Sequence, residues 1–457
     1  MNEHLHQYMV QHQERHLEEL KQFLRIPSIS AVSLHKPDIE ACAQWLASSL
    51  KTAGMEHVQI MPTEGHPIVY ADWLHAPGQP TVLVYGHYDV QPAEPLEAWL
   101  NPPFEPEVRG GKLYARGATD DKGQVFIYVK AVEALINILG QLPINVKFCI
   151  EGEEEVASPS LAPFVQANKE LLAADFIMVS DNAMLDKGKP SLEYAMRGLA
   201  AFEIEVRGAN TDLHSGLYGG GVPNAIHALT ELMASFHTPD GKIAVEGMYK
   251  DVLELSAKEK EALSRLPHSD EQVRKELDLE ALTGEQGFTY IERTTARPTF
   301  EITSITGGFQ GEGIKPIIPA EAKAKVACRL VPDQNPEQVM NCIEEHIRKN
   351  QPKGVKVNMI RKLKGNPFLS PIDHPLMVKA AEALEEVFGE KTSYTRSGGS
   401  IPIVDVFSKT LSAPVVLMGF GLPGENLHAP NENFDLENFR LGAESIFTYW
   451  EKIRNAE

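Results

Sequence analysis

Hydrophobic positions along the chain fall into two rhythms, and their alternation sets the first structural expectation. Leu17, Leu20 and Leu24 recur at helical spacing, as do Ile39, Cys42, Trp45, Leu46 and Leu50, with Asp38 placed to cap the second run and Gly54 to stop it. The texture then changes. Thr81–Tyr85, Ile144–Ile150 and Phe176–Ser180 are short runs rich in Val, Ile and Phe, which predict strands, while Gln124–Leu139 between them predicts a helix. Such alternation indicates α/β layers around a mostly parallel mixed sheet. Each predicted strand runs straight into polar residues: His87 and Asp89 after the first, Glu151–Glu155 after the second, Asp181 after the third. Sites in open α/β sheets gather at such carboxyl ends.

From Leu199 the pattern shifts to strands over Ala201–Val206 and Ala322–Val331, with helices near Asn224–Phe236 and Pro336–Lys349. A charged stretch, Thr238–Pro298, interrupts them, and Ala257–Glu280 within it reads as helical. The first texture resumes with a buried-type strand at Val415–Met418 and an amphipathic helix at Leu436–Tyr449. The expected organisation is therefore a discontinuous first domain, residues 1–198 and 370–457, carrying an α+β insert over 199–369. At 457 residues, 43% of them hydrophobic, the chain exceeds what a single core usually organises.

Charge and cysteine content narrow the partners. With 43 basic against 63 acidic side chains the formal charge is -20, which argues against nucleic acid and anionic membranes as partners. No apolar run reaches transmembrane length, and Met1–Leu20 lacks the apolar core of a signal peptide. Cys42, Cys149, Cys328 and Cys342 lie far apart with no Cys-x-x-Cys spacing, which reads as buried thiols in a reducing, cytoplasmic compartment.

Candidate chemistry sits at the strand ends. In extended chain, residues two apart project the same way, so Asp89 can accept a hydrogen bond from one ring nitrogen of His87 while the other nitrogen meets a metal. In Thr119-Asp120-Asp121-Lys122-Gly123, Thr119 or Asp121 suits a helix cap, whereas the two oxygens of Asp120 can each face a cation. The run Glu151-Gly152-Glu153-Glu154-Glu155 reads either as a solvated acidic loop or, standing at the edge of a core, as carboxylates whose repulsion calls for cations. His428, in the turn-rich segment Gly424–Glu432, is a second candidate imidazole. Two His with three or four carboxylates form a nitrogen and oxygen set suited to zinc, with manganese or cobalt as alternatives.

Taken together, Gly86-His87-Tyr88-Asp89-Val90-Gln91-Pro92, Thr119–Gly123, Leu213-His214-Ser215-Gly216-Leu217-Tyr218-Gly219-Gly220, Arg329-Leu330-Val331-Pro332-Asp333 and Gly398-Gly399-Ser400-Ile401-Pro402 resemble, in order and spacing, the di-metal aminoacylase, carboxypeptidase and dipeptidase family, and most its carnosine dipeptidase-type branch. The likeness spans nearly the whole chain. It implies a phosphorylase/hydrolase-like catalytic domain with an inserted lid and dimerisation domain, and two divalent metal ions per subunit. Residue by residue, it implies that Asp120 bridges the metals, that His87 and Asp181 complete one site and Glu155 and His428 the other, that Glu154 is the general base, and that Asp89 orients His87. Val156-Ala157 departs from the family's small, polar continuation at that point. The implied reaction is hydrolysis of a small peptide's amide bond, with a deacylase or carboxypeptidase of the same family as the alternative. The resemblance further implies a homodimer in which the insert lends His214 to the neighbouring site, where its neutral imidazole can donate to the oxyanion. Arg329 has two readings, a carboxylate anchor or a strand-face ion pair. The backbone N–H groups around Ser397, Gly398, Gly399 and Ser400 can serve the same carboxylate if the glycines open a turn.

Overall fold

The computed structural model describes residues 2–267, 269–399 and 402–454. It divides into two compact units, Met1–Tyr194 with Ser370–Thr395 and Ile403–Glu457, and Ala195–Leu369 with Arg396–Pro402.

The first unit is built on a mixed sheet whose centre is parallel. Strand Thr81–His87 runs parallel between Asn145–Glu151 and Phe176–Val179, and Val415–Leu417 runs parallel beside the latter. Ile68–Trp73 and then Glu56–Met61 extend one side antiparallel, and Ser191–Met196 the other. The central strands are apolar almost without interruption because both faces are covered. Helix Lys122–Leu139 is buried from Lys122 to Leu135, and the closing helix Leu436–Arg454 packs along it. Gly140, at φ +72°, ends the first of these with the left-handed residue such a stop favours.

Two capping expectations are corrected. Helix Lys36–Thr52 starts at His35, whose Nδ1 lies 2.7 Å from Asp38 Oδ2, so Asp38 sits in the first turn and is not the cap. Neither Thr119 nor Asp121 caps Lys122–Leu139. Asp121 holds the N-cap position without a side-chain cap bond, and its Oδ2 accepts from the His87 amide at 3.2 Å; the Thr119 hydroxyl donates to Glu425. A neighbouring ring takes the place of the cap bond in the first case, and a distant amide in the second.

The second unit is an antiparallel sheet in the order Glu301–Gly307, Glu321–Leu330, Gly198–Arg207, Lys356–Gly365. Burial alternates residue by residue along Gly198–Arg207, the signature of a sheet with one covered face. Helices Ala225–Ala234 and Pro336–Asn350 cover that face, enclosing Phe202, Ile204, Leu229, Leu232 and Ile343. The helical stretch expected over Ala257–Glu280 forms two helices, Ala257–Ser264 and Asp270–Glu276. Pro267 has no amide hydrogen to continue the first, and Ser269 with Gln272 starts the second through a capping box, as Ser256 with Glu259 starts the first.

All four cysteines are free; Cys42, Cys149 and Cys328 are buried, while Cys342 is half-buried, short of the full burial expected. Among the described residues no helix is long and apolar enough to cross a membrane.

Phe202 is 1% exposed and packs edge-on to Phe300. Phe202→Ala is expected to cost about 3–5 kcal/mol through lost transfer energy and the cavity left behind. Urea unfolding monitored by circular dichroism reads this directly; a loss below about 1 kcal/mol would contradict the assigned core.

Candidate metal centre and active site

His87 is the last residue of its strand, and its register across to Glu151 carries both strand ends to one edge of the sheet. A Cβ on Gly86 would stand 2.7 Å from Asp121 Oδ2, so glycine there is what lets Asp121 reach the His87 amide. The His87 Nδ1 lies 3.1 Å from the Asp89 carbonyl oxygen and 3.4 Å from Asp89 Oδ1. The nearer partner is thus the backbone. Meanwhile the Asp89 carboxylate accepts from the amides of Glu154, at 3.2 Å, and Glu155, at 3.1 Å. Asp89 thus faces the ring nitrogen with both its carbonyl and its carboxylate, as the resemblance implies, and the same carboxylate anchors the acidic turn.

The acidic run separates into distinct environments. Glu151 is buried and accepts from the Tyr85 hydroxyl at 2.6 Å and the Ser158 hydroxyl at 2.8 Å. Glu153 turns away to the amides of His66, at 3.0 Å, and Ser160, at 3.2 Å. Glu155 Oε2 accepts from Gln91 Nε2 at 2.8 Å and lies 3.2 Å from His428 Nε2. Glu154 sits in the field of His87, Asp181, Glu155 and Asp89.

Asp120 stands between two groups of donors. Its Oδ1 is 3.2 Å from His87 Nε2 and its Oδ2 is 2.9 Å from His428 Nε2. Asp181 Oδ1 is 3.9 Å from His87 Nε2. One donor atom from each of His87, Asp120 and Asp181 falls within 4.8 Å of the others, and the same holds for Asp120, Glu155 and His428. All five residues implied as ligands are thereby brought together.

These residues fit a pair of divalent cations. The His87 Nε2 is buried and makes no hydrogen bond, despite the nearby carboxylates, while Nδ1 is engaged by Asp89. An imidazole that donates through Nδ1 presents the lone pair of Nε2, as a metal ligand does. Among the described residues no Lys or Arg lies within 4.0 Å of Asp120, Asp181 or Glu155.

The titration shifts reflect this crowding. Burial pushes Glu154 up to about 8, and burial likewise raises Asp181. Burial would raise Asp120 too, but the facing imidazoles of His428 and His87 hold it below the usual carboxylate range. Burial opposes charge on His87, yet its contacts with Asp120, Asp181 and Asp89 outweigh that and raise it well above the ordinary value. His428 is held up at about 10 by Asp120 and Glu155.

In the second unit, His214 is exposed and precedes the short helix Ser215–Tyr218, its Nδ1 accepting from the Gly216 amide at 3.0 Å. Arg329 lies on the partly open face of its strand, its amide donating to the Thr299 hydroxyl at 3.4 Å and its carbonyl accepting from the Thr299 amide at 3.0 Å. In the segment expected to offer backbone N–H groups, Gly399 N–H donates to the Ser397 hydroxyl at 3.0 Å, and neither Gly398 nor Gly399 has positive φ. Gly398 packs against Arg197, where a Cβ would stand 3.0 Å from Arg197 Nη2. Arg197, missed in the sequence, donates through Nε to Gly398 O at 3.1 Å. Ser400 lies outside the described residues.

Sequence reasoning also missed Gln91, Glu425 and Glu432. The last two flank His428 within a few residues, which was the available signal, but surplus carboxylate in a turn-rich loop reads as solvated surface.

The chain belongs to peptidase family M20/M25/M40, which it matches over residues 83–452, in agreement with its motifs. It has the mixed-sheet fold of that family. It is 32% identical to the Cys-Gly metallodipeptidase DUG1 of Candida albicans over 95% of this chain and 93% of that one. The crystal structure of human carnosine dipeptidase 1 is similar with a TM-score of 0.77 and 29% identity, covering 100% of this chain and 99% of the other. An M20 family metallo-carboxypeptidase, Sso-CP2 of Sulfolobus solfataricus, is similar with a TM-score of 0.80 and 29% identity over 96% and 99%.

A protonated His428 must release its proton before it can bind a cation. Affinity for zinc at this centre is therefore expected to rise with pH between about 6 and 9, with protons released on binding. Calorimetric titration in buffers of different ionisation enthalpy measures that release. Affinity independent of pH would contradict the assignment of His428.

Proposed function

We propose that this protein hydrolyses the amide bond of dipeptides bearing a free C-terminal carboxylate, with two divalent cations held by His87, Asp120, Asp181, Glu155 and His428. The observation that carries this reading is the place of Asp120, with one oxygen toward His87 and the other toward His428. Zinc is the expected cation for this mixed nitrogen and oxygen set, with manganese or cobalt as alternatives. Bound there, paired cations supply the charge that draws the pKa of water down towards about 7 and polarises the scissile carbonyl.

Glu154 is the general base in this proposal. Its half-buried carboxylate, raised by burial in the cation-free protein, takes the proton from attacking water and returns it to the departing amine. Asp89 fixes the backbone of Glu154 and Glu155, so base and ligand are set by one carboxylate. His214 donates to the developing oxyanion: with Nδ1 accepting from Gly216, the neutral ring carries its proton on Nε2. Arg329 receives the substrate carboxylate with its planar donors, and backbone N–H groups around Ser397, Gly398, Gly399 and Ser400 are the alternative partners for it. The insert supports a homodimer, each subunit lending His214 to the other, and four separate thiols suit the cytoplasm.

The dipeptidase reading draws support from the fungal and human relatives, and the carboxypeptidase reading from the Sulfolobus relative. Rates on free-amine dipeptides, their N-acetyl analogues and longer peptides separate the readings. Turnover of free-amine dipeptides is expected to dominate; turnover of only acetylated or longer substrates would reject it. Glu154→Gln is expected to keep both cations and lose about 10²–10⁴-fold in kcat. Wild-type turnover in that variant would remove Glu154 from the role.

A further inference from the structure

The loop that carries His428 also carries two fully buried carboxylates, and both reach back to the segment that carries Asp120. Glu432, 0% exposed, accepts four hydrogen bonds. Its Oε1 takes the amides of Thr119, at 3.1 Å, and Asp120, at 3.2 Å. Its Oε2 takes the Gly117 amide and Arg116 Nη1, each at 2.9 Å. Glu425, also 0% exposed, accepts from the Thr119 hydroxyl at 2.7 Å and from the amides of Leu422, at 2.8 Å, and Asp435, at 3.0 Å. Every oxygen of this pair is engaged, and each carboxylate spends at least one acceptor on residues 117–120.

This arrangement is more than local loop bonding. Asn426, His428 and Asn431 all have left-handed φ, between 57° and 63°, a conformation that Asn and His adopt more readily than most side-chain-bearing residues. Glu425 and Glu432 stand on either side of these three residues and fasten the loop to the 117–120 segment. The 2.9 Å approach of His428 Nε2 to Asp120 Oδ2 is thus bounded by this clamp. Neither glutamate approaches the donor atoms closely enough to be grouped with them.

We infer that Glu432 is a positioning residue for the metal centre: by gathering the amides of Thr119 and Asp120 onto the loop of His428, it sets the Asp120, Glu155 and His428 group to the spacing one cation requires. The inference rests on the dinuclear reading above and concerns that second group in particular. The other group also depends on Asp181 and on the buried strand end at His87, which Glu432 does not touch. A glutamine at this position cannot replace the carboxylate, because its amide nitrogen would face N–H donors on one side or the other. Groups that orient metal ligands by hydrogen bonds typically change affinity about 10–100-fold when removed.

The test is a zinc titration of metal-depleted protein, read by calorimetry and by bound-metal analysis. The wild type is expected to bind two equivalents. Glu432→Gln is expected to bind the first with little change and the second about 10–100-fold more weakly. Arg116→Gln is the control for a purely structural role: it breaks the same buried ion pair but leaves the three backbone donors on Glu432, and both zinc affinities are expected to persist. Should E432Q fail to fold, Glu432→Asp, which keeps the charge but withdraws it from the amides by one methylene, is titrated and judged in the same way. Unchanged affinity for both cations in the Glu432 variant, or an equal loss in R116Q, overturns the inference. A wild type that binds fewer than two equivalents overturns the dinuclear reading itself, and this inference with it.

Discussion

Three carboxylates, those of Asp120, Asp181 and Glu155, converge at one edge of a sheet with no Lys or Arg against them among the described residues. Like charges in a poorly hydrated place repel strongly, and a fold keeps them there only if protons or cations intervene. Most of the first unit's local structure can be understood as meeting that constraint. Parallel strands deliver His87 and Glu151 to the same edge, Gly86 lets Asp121 brace the His87 amide, and the Asp89 carbonyl fixes the ring so that Nε2 faces the carboxylates.

A second lesson is how differently one residue type is used within a few ångströms. Glu151 and Glu153 are bound up with hydroxyls and amides, and Glu425 and Glu432 with backbone donors, whereas Glu154 and Glu155 are left to the centre. The distinction is one of donors. A carboxylate surrounded by N–H and O–H groups is spent on structure, and one surrounded by other carboxylates and imidazoles is available to a cation or a proton. Burial alone does not separate these classes, since it raises both Glu432 and Glu425 to about 7 without placing either among the ligand groups.

Much of this was legible in the sequence because the parallel strands are written as unbroken apolar runs, each ending abruptly in a titratable residue. The helix over Lys122–Leu139 and the alternating strands of the second unit were equally plain. What escaped was set by which donors and acceptors meet, some close in the chain and some distant. Asp38 and Asp121 look like caps, yet the neighbouring His35 ring and the distant His87 amide claim them. Gly398 and Gly399 look like a turn that offers N–H groups, yet one packs against Arg197 and the other donates to Ser397. Asp89, two residues after His87, invites a pairing of side chains, and its carboxylate meets the distant Glu154 and Glu155 amides as well. Spacing reveals which residues share an edge, and it does not reveal which donors reach that edge first.

The central claim is that Asp120 is shared between two cations. The direct measurement is X-ray absorption at the zinc edge on the fully loaded wild type, compared with Asp120→Asn loaded under the same conditions. The account predicts a metal–metal scattering distance of about 3.5–4 Å in the wild type, with the feature absent and bound zinc sharply reduced in the variant. Two zinc ions bound by Asp120→Asn with the same separation, or a wild type with no metal–metal scattering at full loading, would contradict it.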